Sequence, residues 1–182
     1  GLPRVLALAL EHSRALDSAA GLYERLIARD PQDPQALDGL IRCVAAGAPG
    51  DARLSRALIE RARATHDPSL RALLAFAAGV LDETAGRTTD AEVAYTFALQ
   101  ADPELVPALD AARRLRALAN DWSAVASLAE RSAKASLDRQ NVAEAWVEAA
   151  EVYEKRLDDP ARALASYRAL LATQPGHAHA LE

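Results

Sequence analysis

Three stretches of this chain repeat one another at a spacing of 72 residues. Ala19, Tyr23, Asp30 and Pro31 return 72 positions on as Ala91, Tyr95, Asp102 and Pro103, and again as Ala163, Tyr167, Gln174 and Pro175. Ala36-Leu37-Asp38 returns as Ala108-Leu109-Asp110 and then as Ala180-Leu181-Glu182. A module that recurs at fixed period cannot bury its apolar face alone, so it must stack on its neighbours. The repeat therefore limits the architecture before any local reading does.

The composition says what the module is made of. Apolar residues make up 51% and aromatic residues only 4%, and alanine and leucine dominate. Both are strong helix formers, which points to an all-α fold. Helical periodicity predicts ten helices, at about 2–15, 17–29, 33–47, 51–65, 68–84, 88–101, 105–119, 121–136, 139–156 and 160–173. Asp30-Pro31, Asp67-Pro68 and Asp102-Pro103 are read as helix exits, because the residue before proline is pushed out of the helical region. Asp159 is read as a cap for a helix that starts at Pro160. Gly47 to Gly50 and Gly86 break the chain between paired helices. No strand-like alternation is sustained and no low-complexity linker appears, so 1–182 is read as a single domain. Its hairpins run at about 2–31, 32–67, 68–103, 104–138 and 139–175, and 176–182 would start a further, truncated helix. The even-numbered hairpins match one another too. Leu58, Glu60, Arg61 and Ala64 pair with Leu128, Glu130, Arg131 and Lys134, 70 residues on, so two types of hairpin alternate.

Hairpins of this length with these residues resemble the tetratricopeptide repeat (TPR). Its signature is an aromatic, Leu-Gly and Tyr on the first helix, then Ala-x3-Phe and a closing Pro on the second. The fifth hairpin offers Trp146, Ala149-Ala150 and Tyr153, then Ala163, Tyr167 and Pro175. The third has Gly79, Gly86 in the turn, then Ala91, Tyr95, Ala98 and Pro103, and the first keeps Ala19, Tyr23 and Pro31. The second and fourth depart from the pattern: Arg113 stands at the small position, and Val125 and Ala129 replace the Ala and the aromatic. Trp122 resembles the aromatic that opens a second helix. The resemblance spans the chain and implies a right-handed α-solenoid of five TPR-like hairpins. Small residues at Ala19, Gly79, Ala91, Ala150 and Ala163 would let backbones approach, with Tyr23, Tyr95 and Tyr167 wedged between successive hairpins.

The same resemblance implies a function, a protein–protein scaffold whose first helices line a concave groove that takes a peptide or a helix of a partner. On this chain the groove positions are Asp38 and Arg42, then Phe76, Val80 and Glu83, then Asp110 and Arg114, then Val147, Glu151 and Glu154. Asp38/Arg42 and Asp110/Arg114 are one i,i+4 pair repeated. They read either as two surface ion pairs worth under ~1 kcal/mol each or as a recurring feature that hydrogen-bonds the partner. Chaperone-binding members grip a C-terminal carboxylate with lysine and asparagine; both are missing at the corresponding positions, which excludes that ligand.

Other chemistries find little support. Net charge is −5, and the arginines are interleaved with acids, so no basic face for nucleic acid is expected. Of 21 basic residues only Lys134 and Lys155 are lysines, a bias typical of GC-rich bacterial genomes. The lone Cys43 excludes an internal disulfide and reads as a small buried side chain. Nucleophile elbows, zinc-protease, phosphate-loop and paired-cysteine motifs are missing, so no enzyme and no cofactor are expected. His12 and His66 stand alone near helix ends, and His177 with His179 lacks a third ligand for zinc. Glu144, Glu148, Glu151 and Glu154 read as a solvated face, with Glu151 and Lys155 as an i,i+4 pair. No stretch reaches the ~20 apolar residues that span a bilayer, so no membrane insertion is expected, and the compartment stays open between bacterial cytoplasm and periplasm. The chain carries no methionine, and Ala180-Leu181-Glu182 continues the pattern, so it is read as part of a longer array or one that self-associates end to end. Two rival readings remain: a regulatory repeat appended to a catalytic domain, and an RNA-binding helical repeat.

Overall fold

The computed structural model describes residues 2–173, and every regular element among them is an α-helix. The order is α1 (Leu2–His12), α2 (Leu16–Ile27), α3 (Pro34–Gly47), α4 (Ala52–Ala64), α5 (Pro68–Thr84), α6 (Thr88–Ala101), α7 (Val106–Leu118), α8 (Trp122–Ala135), α9 (Arg139–Lys155) and α10 (Pro160–Thr173). The odd-numbered helices are the first helices of the hairpins and the even-numbered ones the second. Expected and observed helices agree in number among the described residues. Gln174, Pro175, the start of a further helix at 176–182, and His177 and His179 lie outside the described residues.

Aspartate sets most helix starts. Asp33, Asp51, Asp67, Asp121 and Asp138 each accept from backbone N–H groups of the following turn. Asp159 accepts from the Arg162 N–H at 3.0 Å, as expected from the sequence. These bonds satisfy donors that a helix leaves open at its N-terminus. Asp67-Pro68 is a correction: it opens α5 instead of closing α4, with Asp67 accepting from Ser69 and Leu70 and Pro68 in the first turn, where its missing N–H costs nothing. Helix α1 also stops at His12, short of the expected end, because Arg14 turns left-handed at φ 61°. Gly86 (φ 75°) and Asp158 (φ 50°) make the same turn, each 72 residues on, and Asn120 (φ 57°) makes it in the fourth hairpin.

The chain divides into two compact units, Gly1–Asp102 and Pro103–Glu182. In the first, six helices share one core that includes Ala19, Ala20, Tyr23, Leu40, Leu54, Ala57, Leu58, Ala78 and Ala94. Small residues set its spacing. A Cβ at Gly39 would stand 2.3 Å from the Tyr23 ring, and one at Gly79 2.4 Å from the Tyr95 ring. Tyr23 of α2 thus wedges against α3 of the next hairpin, whereas Tyr95 of α6 lies against α5 of its own. Tyr95 has no solvent exposure, and its ring lies 5.8 Å from Phe76.

In the second unit, Val125, Ala126 and Ala129 of α8 pack with Ala149, Val152 and Tyr153 of α9. Ala133 joins Ala145, Trp146 and Leu170. The Arg156 guanidinium lies 4.6 Å from the Trp122 ring, a cation–π contact. Arg113, at the usual small position, is accommodated because its head reaches out to Glu148 and ties α7 to α9. Glu148 is therefore not simply solvated. Ala150 and Ala163 are buried as expected, while Tyr167 is half-buried and donates to Glu154 at 3.1 Å.

Candidate functional site

In the first unit, the first helices place polar and apolar side chains in a repeated register. Phe76, Val80 and Glu83 of α5 have counterparts 72 residues earlier on α1: Arg4, Leu8 and Glu11. Arg4 and Leu8 line a depression of about 250 Å³ with Tyr23, Gln35, Ala36, Asp38 and Arg42. Two expected groove residues, Asp38 and Arg42, thus share one hollow. Arg4, Leu8 and Glu11 were not expected from the sequence, although the 72-residue spacing marks them.

The expected i,i+4 pair of Asp38 and Arg42 does not form. Arg42 reaches to α1 and donates to Glu11 from Nε at 2.7 Å and Nη2 at 3.2 Å, while Arg61 of α4 donates to Asp38 at 2.8 Å. Both side chains brace one helix against another. Glu11 also accepts from the Tyr23 hydroxyl at 3.0 Å. The Arg42 hydrogen bond is the main cause holding the Glu11 carboxyl below its ordinary range. Burial, helped by the Glu11 contact, pushes Tyr23 up to about 12. Arg4 donates to Asp33 and, at 3.2 Å, to Gln35, so the cap of α3 is also braced from α1.

The tyrosine–glutamate bond recurs one period later, where Tyr95 donates to Glu83 at 2.5 Å. Here the neighbouring surface is apolar. Leu73 (54% exposed), Val80 (39%) and Leu70 (37%) follow one another on one side of α5 at helical spacing, with Phe76 and Ala77 half-buried beside them. Leu70 and Leu73 extend the expected pair of Phe76 and Val80. A second hollow of about 300 Å³ lies on the second helices, between α4 and α6, over Ile59, Ala94 and Phe97.

In the second unit, Asp110 accepts from Ser132 at 2.8 Å and pairs with Arg113 at 3.3 Å, not with Arg114. Arg114 is exposed and Val147 half-buried. Glu151 pairs with Lys155 at 2.8 Å, as its spacing predicts, and Glu154 takes the Tyr167 hydroxyl. Cys43 is buried, and burial pushes its thiol above the ordinary range. His12 faces the Leu8 carbonyl at 2.7 Å. Among the described residues no three His, Cys, Asp or Glu side chains are grouped to hold a metal ion. No helix among them is long and apolar enough to cross a membrane.

Solved structures resemble this arrangement of hairpins along nearly its whole length. YrrB, described as a TPR protein with an unusual peptide-binding site, matches with a TM-score of 0.52 at 16% identity over 98% of this chain and 88% of that one. The chain has the tetratricopeptide-repeat fold. MamA matches this chain with a TM-score of 0.53 at 12% identity over 96% and 91% of the two chains. The C-terminal part of a TPR protein from Cytophaga hutchinsonii matches with 0.52 at 15% identity over 98% and 70%. No family model matches the chain. Cellulose synthase operon protein C of Pseudomonas fluorescens (strain SBW25) is 40% identical over 92 residues, which is 48% of this chain and 7% of that protein. The chain therefore spans less than a tenth of this bacterial relative.

Proposed function

We propose that the chain is a non-catalytic protein-interaction scaffold that takes a peptide or a helix of a partner protein on the first-helix face of its hairpins. The observation that carries this reading is the apolar row Leu70, Leu73 and Val80 left in solvent on α5, beside the half-buried Phe76. Exposed apolar groups at helical spacing suit the apolar anchors of a docked segment. The polar side chains in the neighbouring hollow are held by ion pairs, which favours a preformed surface over a mobile one. Asp110, Arg114, Val147, Glu151 and Glu154 are the corresponding positions proposed for the second unit. The acidic balance favours a protein partner over RNA. Peptide binding by the structural relative YrrB supports the same reading.

The test is a peptide-display selection on the whole chain, followed by affinity measurement against a Leu73→Glu, Val80→Glu variant. The expected result is selection of peptides with apolar anchors whose affinity falls at least about tenfold, or about 1.4 kcal/mol, in the variant. Equal affinity in a variant of unchanged helicity would remove binding from this face.

A further inference from the structure

The hollow of about 300 Å³ between α4 and α6 belongs to the second helices and to no part of the proposed groove. It is built wholly from residues 52–97, inside the first unit. Its apolar lining is Ile59 of α4 with Val93, Ala94 and Phe97 of α6. Val93 is 63% exposed, and Ile59 and Phe97 are half-buried. The charged residues around this floor are not all satisfied. Arg63 donates to Glu60 at 2.6 Å, and Arg87 donates to the buried Asp82 at 2.7 Å, so two of the lining acids have partners. Arg56 on the α4 wall and Asp90 on the α6 wall make no hydrogen bond or ion pair among the described residues. The neighbouring seam, between α2 and α4, is closed instead. There Arg53 of α4 reaches back to Glu24 at 3.6 Å and to Asp17 at 3.9 Å. Helix α6 carries no lysine or arginine, so no cation of its own ties it to α4 in that way.

We propose that this hollow docks a helix of a partner protein, one whose apolar stripe is bordered by acidic side chains on one flank and basic side chains on the other. The stripe lies over Ile59, Val93 and Phe97, with the acids beside Arg56 and the bases beside Asp90. Charge complementarity identifies that occupant. A segment that covers the apolar floor takes Arg56 and Asp90 partly out of water, and a desolvated charge needs an opposite one. Two acidic flanks satisfy Arg56 but set like charges against Asp90, and two basic flanks do the reverse. Ion pairs at such a rim add little affinity. They select the partner, while the apolar stripe holds it. The site is separate from Leu70, Leu73 and Val80 of α5, and it stands whether or not a segment docks there.

Three fluorescent alanine-based peptides of about 18 residues, long enough to be helical, test the proposal by anisotropy titration with the whole chain. They share one leucine stripe and differ in its flanks: Glu on one side and Lys on the other, Lys on both, or Glu on both. The expected result is saturable binding of the mixed peptide, weakened at least tenfold by Val93→Glu and unchanged by Leu73→Glu with Val80→Glu. The preference is read as a ratio of dissociation constants, which cancels differences intrinsic to the peptides. Arg56→Glu should move that ratio at least tenfold toward the all-Lys peptide, and Asp90→Lys at least tenfold toward the all-Glu peptide. Val93, Arg56 and Asp90 are exposed, so helicity by circular dichroism stays at the wild-type level in each variant, and that measurement accompanies the titrations. Lack of saturation, equal binding by the Val93→Glu variant, or an unmoved ratio in the charge variants would overturn the assignment. Loss of binding in the Leu73→Glu, Val80→Glu variant would place the peptide on α5, again against it. So would sedimentation showing a dimer that Val93→Glu abolishes, because that result gives the hollow to a second copy.

Discussion

Gly79→Ala sets two effects against each other, and the structure decides between them. In a helix interior alanine is favoured over glycine by about 1 kcal/mol, so propensity alone makes the substitution stabilising. The new Cβ, however, would stand 2.4 Å from Cε1 and 2.6 Å from Cδ1 of Tyr95. The ring has to retreat by about 1 Å to reach ordinary carbon–carbon contact. It is poorly placed to do so. Tyr95 is fully buried, Phe76 lies 5.8 Å away, and the hydroxyl is tied to Glu83 at 2.5 Å. Overpacking of this kind costs about 1–3 kcal/mol, and a ring pinned by a neighbour and a hydrogen bond belongs in the upper half of that range. The expected net effect is a loss of about 1–2 kcal/mol, or roughly 2–8 °C in melting temperature for a chain of this length. Urea unfolding followed by circular dichroism at 222 nm measures it. The same substitution in a Tyr95→Leu background should lose its penalty, giving a coupling of at least about 1 kcal/mol in the double-mutant cycle. A Gly79→Ala protein more stable than wild type would refute the wedge reasoning, because it would mean that the ring yields freely.

Tyr95→Ala should cost about 3–5 kcal/mol, as for a buried aromatic, and a loss under about 1 kcal/mol by the same assay would contradict its role. Gly86→Ala should cost about 1 kcal/mol or more, because φ 75° crowds an L side chain; thermal unfolding reads this directly. Tyr23 is raised in the folded state, so its contribution to stability is full below the ordinary tyrosine range and is lost as pH rises toward about 12. Burial raises Tyr153 and Tyr167 as well, so absorbance at 295 nm should show several tyrosines titrating above the ordinary range, and Glu11→Gln should bring one of them to lower pH. Glu11 is lowered, so its contribution holds above the ordinary glutamate range and fades as pH falls below it; Arg42→Ala should flatten that acid limb of a stability-against-pH curve.

The helices were legible because their signals are local. Proline, glycine and aspartate mark the breaks, and the 72-residue spacing fixes which segments are equivalent. The wedge of Tyr23 against the next hairpin followed from the same spacing, whereas Tyr95, expected between successive hairpins, lies against Gly79 of its own. The role of Asp67-Pro68 was misread because the same dipeptide serves a helix end or a helix start, and only the side-chain bond from Asp67 to the next turn distinguishes them. The ion pairs were misassigned for a related reason. Asp38 and Arg42 are ideally spaced for each other along one helix, yet better partners arrive from Arg61 and Glu11, 23 and 31 residues away. Such cross-helix choices depend on packing, which a single helix does not reveal. Arg4, Leu8 and Glu11 were recoverable by subtracting one period from Phe76, Val80 and Glu83, whereas the exposure of Leu70 and Leu73 needed the neighbouring helices in place.

Two of the tyrosine–glutamate bonds, Tyr23 to Glu11 and Tyr95 to Glu83, have a consequence for how such a chain can change. Each holds the two helices of a hairpin in the same internal geometry, while the outward positions beside it hold Arg4 in one hairpin and Phe76 in the other. A fixed hinge pin with an exchangeable faceplate allows recognition chemistry to be rewritten one module at a time, and grafting an outward set from one odd hairpin to another becomes a practical route to new specificity.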